Sequence, residues 1–121
     1  MELYLLVNEA TDINCLACEG KITQSLIKFG VDPVQDLIGE DGFKHPVVLD
    51  LEKTAFIDSS GIGWLLGVHR RFQTAGGRLI LHSIPPMVLQ VIQLLQLNRI
   101  LNIRDDQETA LALARQEKGQ A

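Results

Sequence analysis

Asp58-Ser59-Ser60-Gly61 is the segment whose residue types could do the most chemistry. It stands between the apolar pair Phe56-Ile57 and a long amphipathic stretch, where a strand would turn into a helix. Asp and Ser at such a junction accept hydrogen bonds from the first unpaired N–H groups of the helix. The same physics permits a second use. A serine at this turn is exposed, and a phosphate placed on it meets the positive end of the helix. That phosphate also brings about two negative charges next to Asp58, able to repel an acidic partner surface or break a fitted contact. Spacing alone leaves both readings open, a helix cap or a modifiable binding surface.

The remaining candidates are weaker. Cys15 and Cys18 have the spacing of a redox pair or half a zinc site. A redox thiol gains its low pKa at a helix N-terminus, whereas these two sit in an apparent strand, where residues three apart face opposite sides. No second pair completes a zinc site, so both are expected to be small structural residues. His45, His69 and His82 form no His-x-x-x-His or Glu-x-x-His pair, and no serine lies in a Gly-x-Ser-x-Gly elbow. Gly61, Gly63 and Gly67 approach the dinucleotide fingerprint, but the third glycine is one position late and the acid expected after the next strand is missing. Gly63 and Gly67 are instead expected to let their helix lie close to a sheet. The expectation is a protein that is not an enzyme and carries no metal or cofactor.

These residues need elements to position them. Residues 2–8 and 13–18 read as short strands with a turn at 9–12 between them. A helical segment starts near Thr23, is interrupted at Gly30-Val31-Asp32-Pro33, and Pro33 suits the first turn of a second short helix ending at Gly39–Gly42. The run Pro-Val-Val-Leu-Asp-Leu at 46–51 is typical of a buried strand. Ile62, Leu65, Leu66, His69 and Phe72 then share one helical face, and Gly76-Gly77 closes that helix. Residues 78–82 form the next strand, Pro85-Pro86 opens another apolar helix, and 100–103 is a last strand. Asp105 with Glu108 resembles a capping box for a final helix. Strands alternating with helices over short connections predict an α/β fold with a largely parallel sheet of about five strands.

With 121 residues the chain has room for one domain, 1–121. Its net charge of −4 argues against nucleic acid as a partner. The charge is uneven: residues 1–58 hold eleven acids and four lysines, net −7, and residues 59–121 hold four acids and seven bases, net +3. The segment 85–97 is too short to span a bilayer and carries Gln90, Gln93 and Gln96. With no secretory pattern at the start, a cytoplasmic protein without membrane attachment is expected.

From Pro46 to Arg104 the sequence resembles a STAS domain of the anti-sigma factor antagonist family. The likeness rests on the apolar strand at 47–51, Phe56-Ile57-Asp58-Ser59-Ser60-Gly61-Ile62-Gly63, Gly76-Gly77, Ile84-Pro85-Pro86-Met87-Val88 and Leu97-Asn98-Arg99-Ile100-Leu101-Asn102-Ile103. The resemblance implies a small mixed sheet with helices packed on one side. It implies binding to an anti-sigma factor that is also a serine kinase, blocked by phosphorylation of the serine after the Asp and restored by a serine phosphatase. By position that serine is Ser59, with Asp58, Ser60, Gly61, Ile62 and Trp64 as the adjoining partner-binding residues. Where family members often carry Gly-Glu-Leu-Asp, this chain has Gly20-Lys21-Ile22-Thr23, and its 23–44 segment is longer. The alternative within the family is a scaffold or subunit of another regulatory or transport complex without phospho-switching. A homodimer is compatible with either.

Overall fold

In a computed structural model, which describes residues 2–6, 13–23 and 33–119, the apolar run at Pro46 becomes the middle strand of a five-stranded sheet. The elements run β1 (Glu2–Leu6), β2 (Asn14–Ile22), α1 (Pro33–Ile38), a 3₁₀ turn at Asp41–Lys44, β3 (Pro46–Ile57), α2 (Ser59–Ala75) and β4 (Arg78–His82). They continue with α3 (Pro86–Leu94), a 3₁₀ turn at Leu97–Arg99, β5 (Asn102–Arg104) and α4 (Gln107–Gly119). Strand order follows chain order, with β1 antiparallel to β2 and β2 through β5 parallel. The expected mixed, largely parallel sheet is therefore what forms. The acidic and basic halves of the sequence share it, since β2 and β3 come from one and β4 and β5 from the other.

Side chains alternate across the sheet, and each face buries its own cluster. Leu16, Val47, Leu49, Leu51, Leu79 and Leu81 pack with Leu65 and Phe72 of α2 and Val88 and Ile92 of α3. Cys15, Val48 and Ile80 face the other way and pack against Ala110, Leu111 and Ala114 of α4. The helices thus divide between both faces rather than lying on one side. The physical reason is in β3 and β4: Val48 and Ile80 are as apolar as their neighbours, so the second face also has to be covered.

Three boundaries differ from expectation, while β3 runs from Pro46 on through Phe56-Ile57 to the helix start. β2 continues past Cys18 to Ile22. β5 begins at Asn102, because the amides of Ile100 and Leu101 both donate to the Leu97 carbonyl and wind the preceding residues into a turn. α4 is capped one residue later than expected: the Asp106 carboxylate accepts the Thr109 amide at 2.8 Å, and the Asp106 amide donates back to the Thr109 hydroxyl at 3.3 Å. The reciprocal pair is Asp106 with Thr109, not Asp105 with Glu108. The end of the first strand at 7–8, the turn at 9–12 and the helix expected after Thr23 lie outside the described residues.

Candidate functional site

The length of β3 is what delivers Asp58 to its place. Register against β2 slips between Ala17 and Glu19 and again between Gly20 and Lys21, each time with an extra residue on β3. After Leu51, burial therefore recurs every third residue, at Thr54 and Ile57, instead of every second. The Asp50 carboxylate receives the Glu52 amide at 2.8 Å at the first slip, and the Thr54 hydroxyl donates to the Cys18 carbonyl at 3.3 Å between the two. The bulges extend the strand until Ile57 pairs with Ile22 and the chain turns into α2.

At that turn Asp58 is extended, with φ −106° and ψ −175°, and caps the helix. Its carboxylate accepts the Gly61 amide at 2.8 Å and the Ser60 hydroxyl at 2.7 Å. The Ser60 hydroxyl foremost, then the Gly61 amide, holds the Asp58 carboxyl below the usual carboxylate range. The Asp58 amide donates to the Ile22 carbonyl at 3.3 Å, joining the helix start to the end of β2. Gly61 completes the joint. A Cβ at this position would lie 2.1 Å from the Ile22 oxygen, so no side chain fits. Thr23 directly follows that carbonyl, which puts it beside the start of α2.

The two serines are used differently. Ser60 is half-buried and tied to Asp58. Ser59 is the first residue of α2, is exposed, and has no hydrogen-bond partner for its hydroxyl among the described residues. Gly61 and Ile62 are buried beneath the helix start. Trp64 is half-buried and packs against the main core with part of its ring still open.

Gly63 and Gly67 correct an expectation. Both are exposed, and a Cβ on either would meet nothing within 4 Å. They do not bring α2 close to the sheet; Gly61 does that alone. Counting in fours from Ser59, they instead continue its exposed line along the helix, a track without side chains. Phe56, 45% exposed and two residues before Asp58, is a further surface residue at this end of the sheet. Reading the sequence missed it because a phenylalanine beside a strand reads as core.

Cys15 and Cys18 are buried on opposite faces of the sheet, as their spacing predicts. Burial pushes the Cys18 thiol up to about 11, against the lowering effect of its Thr54 hydrogen bond. Such a thiol is inert as a nucleophile. His45 is exposed, while His69 and His82 are buried in separate places. Among the described residues no group of three or more His, Cys, Asp or Glu gathers as metal ligands. No helix among them is long and apolar enough to cross a membrane.

Comparison with known proteins returns one consistent picture. The STAS domain model matches residues 4–110. The anti-sigma F factor antagonist of Paenibacillus polymyxa is 32% identical over 65 residues, a match covering 54% of this chain and 56% of that protein. The chain thus matches little more than half the length of that curated relative. A Thermotoga maritima protein proposed to be an anti-sigma factor antagonist shares the fold with a TM-score of 0.78 at 22% identity, covering 92% of each chain. An anti-sigma factor antagonist of Mycobacterium paratuberculosis follows with a TM-score of 0.74 at 17% identity, covering 94% of this chain and 95% of its own. The anti-sigma factor antagonist SpoIIAA in its unphosphorylated form gives 0.65 at 22% identity, covering 92% and 96%. At these identities the structures speak for the fold.

Proposed function

The chain belongs to the STAS domain family, and from that premise we propose that it is an anti-sigma factor antagonist whose binding is switched by phosphorylation of Ser59. The observation that carries the reading is the contrast between neighbours. Ser60 spends its hydroxyl on Asp58, while the Ser59 hydroxyl stands exposed and unengaged at the first position of α2. A kinase can reach Ser59 without dismantling the cap, and a phosphatase can reach it again.

The partner in this proposal is an anti-sigma factor with serine kinase activity, and the compartment is the cytoplasm. The contact surface runs from Asp58, Ser59 and Ser60 along Gly63 and Gly67, flanked by the open part of Trp64. Gly61 and Ile62 contribute from below by fixing the helix start. A backbone track of this kind lets a partner approach closely, and a phosphate of roughly two negative charges at its head would hold the partner off. The curated relative and the SpoIIAA structure support the reading through their names.

The test is incubation with the cognate anti-sigma kinase and ATP, followed by phosphopeptide mass spectrometry and calorimetry. One phosphate on Ser59 is expected, with Ser59→Ala binding the partner but staying unmodified, and Ser59→Asp binding at least about tenfold more weakly. A true binding partner that leaves Ser59 unmodified would move the protein to the scaffold reading, in which Ser59 only begins a helix.

A further inference from the structure

We propose that the outward face of α3, with the turn after it, is the contact of a twofold dimer of this chain, α3 of one copy lying antiparallel to α3 of the other. The face belongs to a different helix from Ser59 and does not depend on the phosphorylation reading.

From Ser83 to Asn98 the chain carries no charged side chain. Val88 and Ile92 of α3 face the main core. The opposite side of the helix is apolar as well. Met87 is 65% exposed, Leu94 79% and Leu95 52%, and Ile100 after the second 3₁₀ turn is 54% exposed. These are four of the six large hydrophobic residues exposed among the described residues. A surface helix turns charged residues to water, whereas a helix that is apolar all round is covered on every side. Here the sheet covers one side of α3 and leaves the other open.

The size of the patch suits a second copy. Its four side chains expose roughly 450 Å² of apolar surface, as large as the patches that mark interaction sites. One side of a standard interface buries about 800 Å², of which roughly 60% is apolar, so the patch is close to what a stable dimer needs.

The pattern along α3 also fits its own reverse. Met87 and Leu94 stand equally far from the point between Gln90 and Val91, so a twofold axis there sets Met87 of each copy against Leu94 of the other. Charge resumes only at the two ends. Arg99 lies beyond the C-terminal end of the helix, and Asp105 lies at its start, where its carbonyl accepts the Ser83 amide at 3.2 Å. The neighbours of Asp105 are engaged elsewhere: Arg104 pairs with His82 in the sheet, and Asp106 caps α4. Arg99 and Asp105 are exposed, and neither is in an ion pair among the described residues. The same axis brings Arg99 of each copy to the Asp105 end of the other, two opposite-charge pairs at the rim. An acidic lipid surface would meet Asp105 as a like charge, while a second copy answers both the apolar centre and the charged ends.

The experiment is sedimentation velocity of the intact, unmodified protein from about 1 μM to 1 mM, where a monomer–dimer equilibrium is expected. Leu94→Asp, at a position already open to water, is expected to weaken association at least about tenfold. Arg99→Asp and Asp105→Arg are each expected to weaken it about tenfold, because each sets up two like-charge pairs across the axis. The double variant reverses both charges and is expected to return to within about threefold of the parent. A monomer at every concentration up to about 1 mM would overturn the proposal. So would a dimer that Leu94→Asp leaves intact, or a double variant no tighter than the singles. A monomer that cosediments with phosphatidylcholine–phosphatidylglycerol vesicles would overturn it too and assign the patch to lipid.

Discussion

The carbonyl oxygen of Ile22 occupies the space in which a side chain on Gly61 would begin, 2.1 Å from the Cβ position. Two backbones therefore meet at the site, and the presentation of Ser59 depends on a residue that has no side chain. Gly61→Ala is expected to lower stability by about 1–3 kcal/mol, as overpacking of a fitted interior does, because the obstacle is backbone and cannot rotate away. Urea unfolding reads the loss. A midpoint equal to that of the parent protein would mean that the helix start is not clamped on β2.

Gly63 separates stability from contact. With open space around it and an ordinary helical backbone, Gly63→Ala is expected to stabilise the protein by about 0.5–1 kcal/mol. If the partner approaches along the glycine track, the same substitution weakens binding. Unfolding and calorimetry on one variant thus move in opposite directions. An alanine that stabilises and binds equally well would remove Gly63 from the contact surface.

Asp58 and Ser60 form the cap, and Ser60→Ala removes the hydroxyl that chiefly depresses the Asp58 carboxyl. The sign of the pH effect follows. A carboxyl lowered in the fold contributes stability that is present above its unfolded value, about 3.9, and is lost as pH falls through the lower folded value. In Ser60→Ala the Asp58 carboxyl is expected to titrate at higher pH than in the parent, read by NMR of its side-chain carbon. Ser59→Ala is expected to leave that titration in place, since the carboxylate is held by Ser60 and Gly61.

The unequal roles of these serines show what was legible in the sequence and what was not. Asp58 as a cap, α2 with Ile62, Leu65, His69 and Phe72 inward, and the α/β alternation all follow from local pattern, because helix periodicity and capping are set by neighbours in the chain. The bulges of β3 do not. They arise from register against β2 and break the alternation that marks a strand, so the residues between Leu51 and Phe56 carry no strand pattern of their own. The role of Gly61 depends on a carbonyl 39 positions earlier, and the exposure of Gly63 depends on which way α2 faces. Nor does the pattern of any one helix say which face of a sheet it will cover, and so α4 was expected beside α2 and α3. Asp105 and Asp106 are both able caps; the return bond from Thr109 selects the second.

Cys15 and Cys18 are expected to stay reduced and unreactive in the folded protein. Both are buried, they lie on opposite faces of the sheet, and the Cys18 thiol is pushed up to about 11. A thiol reagent should label neither at neutral pH and both in denaturant. Rapid labelling of the native protein at Cys18 would contradict the packing around Thr54.

The two buried histidines make the fold acid-sensitive. Burial lowers the pKa of His69, with Arg78 and Arg70 acting in the same direction. Burial also lowers that of His82, partly offset by Asp50, Asp106 and Glu52. Both rings therefore accept a proton more readily in the unfolded chain, near pH 6.5, than in the fold. Unfolding takes up protons as the solution is acidified, so stability is complete above about pH 6.5 and declines as pH falls towards the folded values. His69→Leu removes one of these protons together with an unpaired buried polar group. It is expected to raise stability by about 1–3 kcal/mol at pH 7 and to flatten the slope between pH 5 and 6.5. Denaturation midpoints across that range check both points at once. A parent protein whose midpoint does not change from pH 7 to pH 5 would mean that these rings are as easily protonated inside the fold as outside it.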